Sequence, residues 1–168
     1  MNFKEALVNL RKSREYKIFK EKNKEAYLTA GFIVIEKGKQ EPWQIDFYDQ
    51  KKDNITSFNL KEKIEEKTDK VFRKGDEKVD KLKEQDVKIT LKEALKKVDE
   101  LKEREYKEGK CEKTIAIIQS INKKTLWNIT EITNNFNILN IKITATDGKV
   151  IHHACEPVFK FKTPEKKK

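Results

Sequence analysis

Hydrophobic positions follow a helical spacing at the start of the chain and a strand spacing after it. Phe3, Ala6, Leu7 and Leu10 recur every three or four residues, with charged residues between them, which is the pattern of an amphipathic helix. We expect this helix to continue to a turn near Asn23. The order of the two spacings predicts a helix that packs against strands.

The segment after the first helix predicts antiparallel strands. Residues 27–35 are apolar and β-branched toward their end, as expected of a strand. Residues 43–47 alternate between apolar and polar side chains, which predicts a strand with one buried face. A polar turn at residues 49–54 and a strand at residues 55–60 complete a hairpin.

The same order of helix and strands returns in the second half. Thr90 and Glu93 have the spacing of a capping box, so a second helix should begin there and end before Gly109. Asp147 and Gly148 predict a tight turn between the last two strands. The strands of this half are predicted at about residues 113–121, 126–133, 138–145 and 150–155.

Short motifs support an internal repeat, because they recur 84 to 90 residues further along the chain. The pairs are Lys4–Leu7 with Lys92–Leu95, Arg14–Lys17 with Arg104–Lys107, and Trp43 with Trp127. We therefore predict an α+β fold made of two tandem units, each with a helix and an antiparallel sheet.

The predicted boundaries follow the composition of the chain. The first unit covers residues 1–60 and the second covers residues 89–159. A highly charged connector, residues 61–88, joins them, with a short helix expected near residues 77–83. A basic tail follows at residues 160–168.

The net charge of +10 comes from 39 Lys and Arg residues against 29 Asp and Glu residues. Only four of the basic residues are arginine, the side chain best suited to reading phosphates and bases. Because lysine and glutamate are interleaved, we interpret the charge as a solvated surface. A nucleic-acid-binding protein that uses a Lys-rich surface remains the alternative.

Several motifs are absent from the sequence, and their absence sets our expectations for compartment and reaction chemistry. No apolar run approaches the length of a membrane span, and no apolar signal region follows Met1, so we expect a cytoplasmic protein with reduced thiols. Phosphate-binding glycine loops and the sequence motifs of serine nucleophiles are absent from the sequence. We expect no enzyme activity, no cofactor and no metal.

One thiol–imidazole cluster is a candidate site. His153 and Cys155 share a strand face, whereas His152 points away. Two ligands do not make a closed zinc site, and Cys111 would join them only if the fold brought it close. A hydrolase that pairs Cys155 with His153 is a third hypothesis, although no carboxylate is marked to orient the imidazole.

Aromatic residues divide into core anchors and candidate contacts. Trp43 and Trp127 alternate in phase with apolar neighbours, which predicts that each is buried. Tyr48, Tyr106 and Phe136 lie nearer to polar stretches, so we predict that they contact a partner.

The second half resembles the PepSY module. The strand Trp127–Ile129 and the hairpin at residues 141–150, Ile-Lys-Ile-Thr-Ala-Thr-Asp-Gly-Lys-Val, carry the resemblance. It covers residues 87–155 well and residues 3–60 in part, since the first half lacks the Asp-Gly hairpin and the last strand. The chain is also similar to small lysine-rich archaeal proteins.

The resemblance implies a cystatin-like sheet with a helix across it, twice, and no catalytic residues. Members of the family are accessory modules that bind or restrain peptidases and other partners. We therefore predict a non-catalytic module that binds a protein or peptide through a sheet face or edge. A second copy of the chain could also pair through an open edge.

Overall fold

The computed structural model describes residues 1–71, 75, 77–107 and 109–161. In this part of the chain three α-helices cover one nine-stranded antiparallel sheet, which confirms the α+β class. The helices are α1 (Phe3–Lys12), α2 (Arg14–Lys22) and α3 (Leu91–Glu105). The strands are β1 (Tyr27–Glu36), β2 (Lys39–Gln40), β3 (Gln44–Asp49), β4 (Asn54–Asn59), β5 (Glu65–Lys70), β6 (Cys111–Ile121), β7 (Lys124–Thr133), β8 (Asn137–Thr144) and β9 (Val150–Pro157).

Strands from the two halves of the chain lie side by side in one sheet. Their order is β5-β4-β3-β1-β6-β7-β8-β9, and the short β2 pairs with β1. The central pair is β1 with β6, whose antiparallel register places Ile33 opposite Ala116 and Gly31 opposite Ile118. Consequently β5 and β9 are the two outer edges of the sheet.

The core lies between the helices and one face of the sheet. Trp43 and Trp127 are both buried there, with their ring centroids 6.3 Å apart. The Trp43 indole donates a hydrogen bond to the Met1 carbonyl at 3.1 Å, and the Trp127 indole donates one to the Ile89 carbonyl at 2.8 Å. Since Tyr and Trp need a polar partner when buried, these bonds make both tryptophans stable core anchors, as predicted.

The helical part of the first half is two helices rather than the single predicted one. Ser13 separates them: its N–H donates to the Leu10 carbonyl at the end of α1, and its hydroxyl accepts from the Tyr16 N–H at the start of α2. A serine that serves as a cap lets the chain change direction here. The second helix, by contrast, runs unbroken from Leu91 to Glu105 behind the predicted capping box.

The connector differs from its predicted form. Strand β5 lies within it, although its sequence Glu-Glu-Lys-Thr-Asp-Lys has no apolar face, and it pairs with β4 through Thr56 and Thr68. The short helix predicted near residues 77–83 is wrong, because these residues are not helical and a single 3-10 turn follows at Glu84–Asp86. Backbone pairing explains why β5 was not predicted, since it leaves no hydrophobic period in the sequence.

Candidate partner-binding surface

The two edges of the sheet present different surfaces. All six residues of β5 are exposed and polar, including Lys67 and Lys70. Lysine on an edge strand protects it from pairing with another chain. Strand β9 has no lysine, and Ile151 on it is an exposed apolar residue. Among the described residues no strand pairs with the outer side of β9. Its register against β8 shifts beside Ile151, but without lysine this edge is better suited than β5 to accept a further strand.

A tyrosine and a histidine meet on the helix side of β9. Tyr106 follows the last residue of α3, and its hydroxyl lies 2.6 Å from Nδ1 of His153. The two rings are almost perpendicular, at 86°. Burial raises the pKa of the Tyr106 phenol, and the nearby Cys155 and Glu105 add to this. The contact holds the imidazole in one orientation at the edge of the sheet.

The two cysteines lie in different parts of the sheet. Cys111 begins β6, whereas Cys155 lies on β9, three strands away in the order of the sheet. Burial raises the pKa of the Cys111 thiol, which makes its thiolate less available. The described residues contain no group of three or more His, Cys, Asp or Glu side chains that could hold a metal ion.

An exposed aromatic pair lies beside the Pro157 end of β9. The rings of Phe136 and Phe159 are 63% and 64% exposed, with centroids 6.2 Å apart. The Val158 N–H donates to the Phe136 carbonyl at 2.7 Å, which joins the two segments. Phe136 has φ 62°, a left-handed conformation that costs a non-glycine residue about 1–2 kcal/mol. An exposed ring in a strained turn is poorly explained by folding, and such positions often serve binding.

Tyr48, the third predicted contact residue, is buried, so it does not present the exposed ring that contact with a partner requires. Its ring packs edge-on against Tyr27 at a centroid distance of 5.6 Å, and its hydroxyl bonds to Asp53 at 2.7 Å. The neighbouring polar turn suggested exposure, but pairing of β1 with β3 places Tyr27 directly opposite. The other candidates, Tyr106, Phe136, His153 and Cys155, all lie at or beside the β9 edge.

A buried ion pair lies under the C-terminal part of α3. Nζ of Lys102 is 2.6 Å from Oε2 of Glu131. The Glu131 side chain is only 5% exposed and that of Lys102 is 18% exposed. Burial lowers the pKa of Lys102, but the hydrogen bond and the charge of Glu131 outweigh it, and the net shift is upward. This pair could not be predicted, because both residues belong to the abundant Lys and Glu residues of the chain.

Asp46, a further residue that was not predicted, lies on the opposite, helix-free face of the sheet. Burial raises the pKa of its carboxyl group, against the hydrogen bonds from Ser57 and Gln44. In the sequence Asp46 is one of the polar residues that alternate through β3, a position expected to be solvated.

Surface lysines form ion pairs with acidic neighbours at several places. The pairs include Lys51 with Glu25, Lys61 with Glu65, Lys67 with Asp69, and Lys160 with Glu156. Such exposed pairs contribute little to stability. They show that part of the positive charge is balanced locally, which does not favour a continuous basic patch.

Comparison with known proteins identifies a structural likeness only. No protein-family model matches the chain. A search of curated proteins also found no match. The fold is similar to the crystal structure of a "putative lipoprotein (CD1622) from Clostridium difficile 630", with a TM-score of 0.56 and 22% sequence identity over 84% of this chain and 90% of that one. At this identity the likeness shows a shared fold.

Within the described residues, no helix has the length and apolarity needed to span a membrane.

Proposed function

We propose that the protein is a non-catalytic binding module that holds an extended segment of a protein partner along the outer edge of β9. The observation that carries this proposal is the difference between the two sheet edges. Strand β5 is covered with charge, whereas β9 lacks lysine and exposes Ile151. An edge of the second kind is normally protected, unless it serves to pair with another chain.

The side chains around β9 suggest how a partner would be selected. Main-chain hydrogen bonds would supply affinity, and alternate side chains of the partner would supply specificity. At the Pro157 end of β9 the partner's side chains would contact the aromatic pair Phe136 and Phe159. Nearer the middle of β9, on the helix side, they would contact Tyr106 and His153. Apolar or aromatic residues in the partner strand fit the first of these surfaces.

We also propose that the two halves are copies of one PepSY-like, cystatin-like unit. Three features of the described residues support this. Each tryptophan donates its indole N–H to the residue before a helix N-cap, Met1 or Ile89. Both of these N-caps, Asn2 and Thr90, form a capping box. In the sheet, β3 and β4 lie outward from β1 as β7 and β8 lie outward from β6. The non-catalytic character of the proposal comes from this resemblance, and a cytoplasmic location stays a prediction.

The test is capture of a partner from native lysate by the wild-type protein and two variants. Ile151→Lys adds the protective lysine that β9 lacks. Glu66→Lys is the control on β5, where a charge change of +2, larger than the +1 of Ile151→Lys, should have no effect. We expect a stoichiometric partner with the wild type and the control, and its loss with Ile151→Lys. Equal capture by all three proteins, or no stoichiometric partner, would contradict the proposal.

Two further measurements distinguish other occupants. Light scattering would reveal a dimer of this chain, and dissociation by Ile151→Lys alone would mean that a second copy occupies the edge. Fluorescence anisotropy with single-stranded RNA and duplex DNA tests the nucleic-acid alternative. Binding that weakens steeply with salt but persists near physiological salt would replace the present proposal, because release of counterions from the phosphates is expected when a protein binds nucleic acid.

A further inference from the structure

A groove of about 740 Å³ lies on the helix-free face of the sheet, away from the β9 edge. Its floor is formed by the central strands, where Phe32 of β1 lies opposite Ile117 of β6. Residues 77–80 of the connector form another part of its lining. Its volume falls within the range of about 300–1,000 Å³ that is typical of small-molecule sites.

The connector wall of the groove is fixed at both sides. The Tyr27 hydroxyl donates to the Val79 carbonyl at 2.7 Å, and the Lys123 N–H donates to Oδ2 of Asp80 at 3.0 Å. Just beyond, the Leu82 N–H donates to the Leu28 carbonyl at 2.9 Å. The groove is therefore a formed feature of the fold, which lowers the ordering cost of binding.

Asp46 places a carboxylate in the lining of this groove. Gln44 donates to its Oδ1 at 3.0 Å, and the Ser57 hydroxyl also donates to it. Both donors are neutral, and none of the described residues forms an ion pair with Asp46. Burial raises the pKa of the carboxyl group, so the charge is held in a partly desolvated place. A carboxylate in such surroundings gains most from a cation that enters with it.

The rest of the lining sets the shape of a suitable ligand. Ala30, Phe32, Ile117 and Ile121 are apolar residues of the lining. Charged groups facing the groove from the connector are Glu77, Lys78 and Asp80, and the carboxylate of Asp80 is already engaged by the Lys123 N–H. The groove thus offers the Asp46 carboxylate beside apolar floor residues, while Glu77 and Asp80 add negative charge and Lys78 adds positive charge on the connector wall.

From this arrangement we infer that the groove binds a small organic cation, a protonated amine on an apolar body. The ammonium group would donate a hydrogen bond to the Asp46 carboxylate, and the apolar part of the ligand would pack on Phe32 and Ile117. This inference is independent of the proposed function, since it concerns the other face of the sheet and no edge strand.

The test compares phenethylamine with phenethyl alcohol, which has the same body and no charge. Binding is followed at pH 7.5 by calorimetry and by backbone amide shifts. We expect the amine to bind about tenfold more tightly or better, as a charge-assisted hydrogen bond should give. Amide shifts should centre on Ala30, Asp46 and Gln119, which line the groove.

Two variants assign the effect to the carboxylate. Asp46→Asn should reduce amine affinity to that of the alcohol and leave alcohol binding unchanged. Asp69→Asn on the exposed strand β5 is the matched control and should change neither. Equal binding of the two probes, an unchanged amine affinity in Asp46→Asn, or no binding of either probe would overturn the inference. So would a Lys-containing peptide that binds where the free amine does not.

A titration of the wild type gives a readout that needs no variant. If the ammonium pairs with Asp46, saturating phenethylamine should lower the pKa of that carboxyl group, followed by its carboxyl carbon resonance. By linkage, amine affinity should fall as the pH is lowered through the raised pKa of Asp46 in the free protein. A pKa that does not move when the amine is bound would overturn the inference.

Discussion

The core is stabilised by different chemistry near its two tryptophans: by aromatic rings at the Trp43 end and by an ion pair at the Trp127 end. Four residues after Trp43 comes Phe47, whose ring contacts those of Tyr16, Phe19 and Phe58 at centroid distances of 5.2, 5.7 and 6.0 Å. Four residues after Trp127 comes Glu131, which forms the buried ion pair with Lys102. One end is therefore held by apolar burial and ring contacts, and the other by a charge pair that must overcome its own desolvation.

The helices explain how each end is filled. The break at Ser13 starts α2 in a new direction, and α2 supplies Tyr16 and Phe19 to the aromatic cluster. Helix α3 has no break, and Lys102 in its last turn reaches Glu131. One sheet thus holds an aromatic cluster near one tryptophan and an ion pair near the other, and each can be tested by exchange of one side chain.

The largest expected effect is the removal of the ring at the aromatic end. Phe47→Ala should lower the free energy of unfolding by about 3–5 kcal/mol, because it removes buried area and leaves a cavity. Urea unfolding measures the change. Ile18→Ala on α2, where Ile18 is exposed, is the control and should change stability little. A loss below about 1 kcal/mol for Phe47→Ala would mean that the cluster does not hold this end.

Breaking the ion pair should have the next largest effect. Glu131→Leu leaves the Lys102 ammonium mostly buried without its main partner, and we expect a loss of about 3 kcal/mol. Lys102→Met combined with Glu131→Leu should bring stability back to within about 1 kcal/mol of the wild type, since no charge is then left buried. If the double variant is as unstable as the single one, packing rather than charge governs this end.

Alkaline pH should weaken the ion pair and leave the aromatic cluster unaffected. The pKa of Lys102 is raised in the folded protein above its ordinary value of 10.5. Its stabilisation is therefore complete below that value and is lost as the pH rises through the folded pKa. Wild-type stability should fall in this range more than that of the double variant Lys102→Met, Glu131→Leu. Parallel pH profiles of the two proteins would contradict this assignment.

The smallest expected effect concerns the turns that follow β3 and β7. Asp53 has φ 50° in the first turn and Phe136 has φ 62° in the second. Aspartate and asparagine accept this conformation more readily than phenylalanine does. Phe136→Asn should therefore stabilise the fold by about 0.5 kcal/mol and weaken capture of the partner. A denaturation midpoint that falls instead would show that the ring serves the fold.

Much of the fold could be predicted from the sequence, where hydrophobic period and local chemistry agree. The helix from Leu91 has both a capping box and an apolar stripe, and strands β6 to β8 have clear alternation. Strand β5 could not be predicted, because an exposed edge is held by backbone bonds and needs no apolar face. The break at Ser13 was missed because apolar spacing continues across it through Tyr16 and Phe19.

The candidate site was predictable only in part. Phe136 stood out because a large ring in a run of asparagines is unusual, and it is exposed as expected. Tyr48 had the same polar neighbours, but the residue that covers it, Tyr27, is distant in sequence. Asp46 became notable only once residues 77–80 were seen to line the same groove. The surroundings of these side chains are formed by segments distant in sequence, so they cannot be predicted from the residues nearby.

The shared seam between β1 and β6 has a consequence for folding cooperativity. Seven residue pairs, from Ala30 with Gln119 to Glu36 with Lys113, join the halves through the middle of the sheet, and the two tryptophans touch across it. Neither half can open alone without exposing the other's central strand and indole. We expect a single calorimetric transition with matching van't Hoff and calorimetric enthalpies, and separately expressed halves should recombine as complementary fragments along this seam.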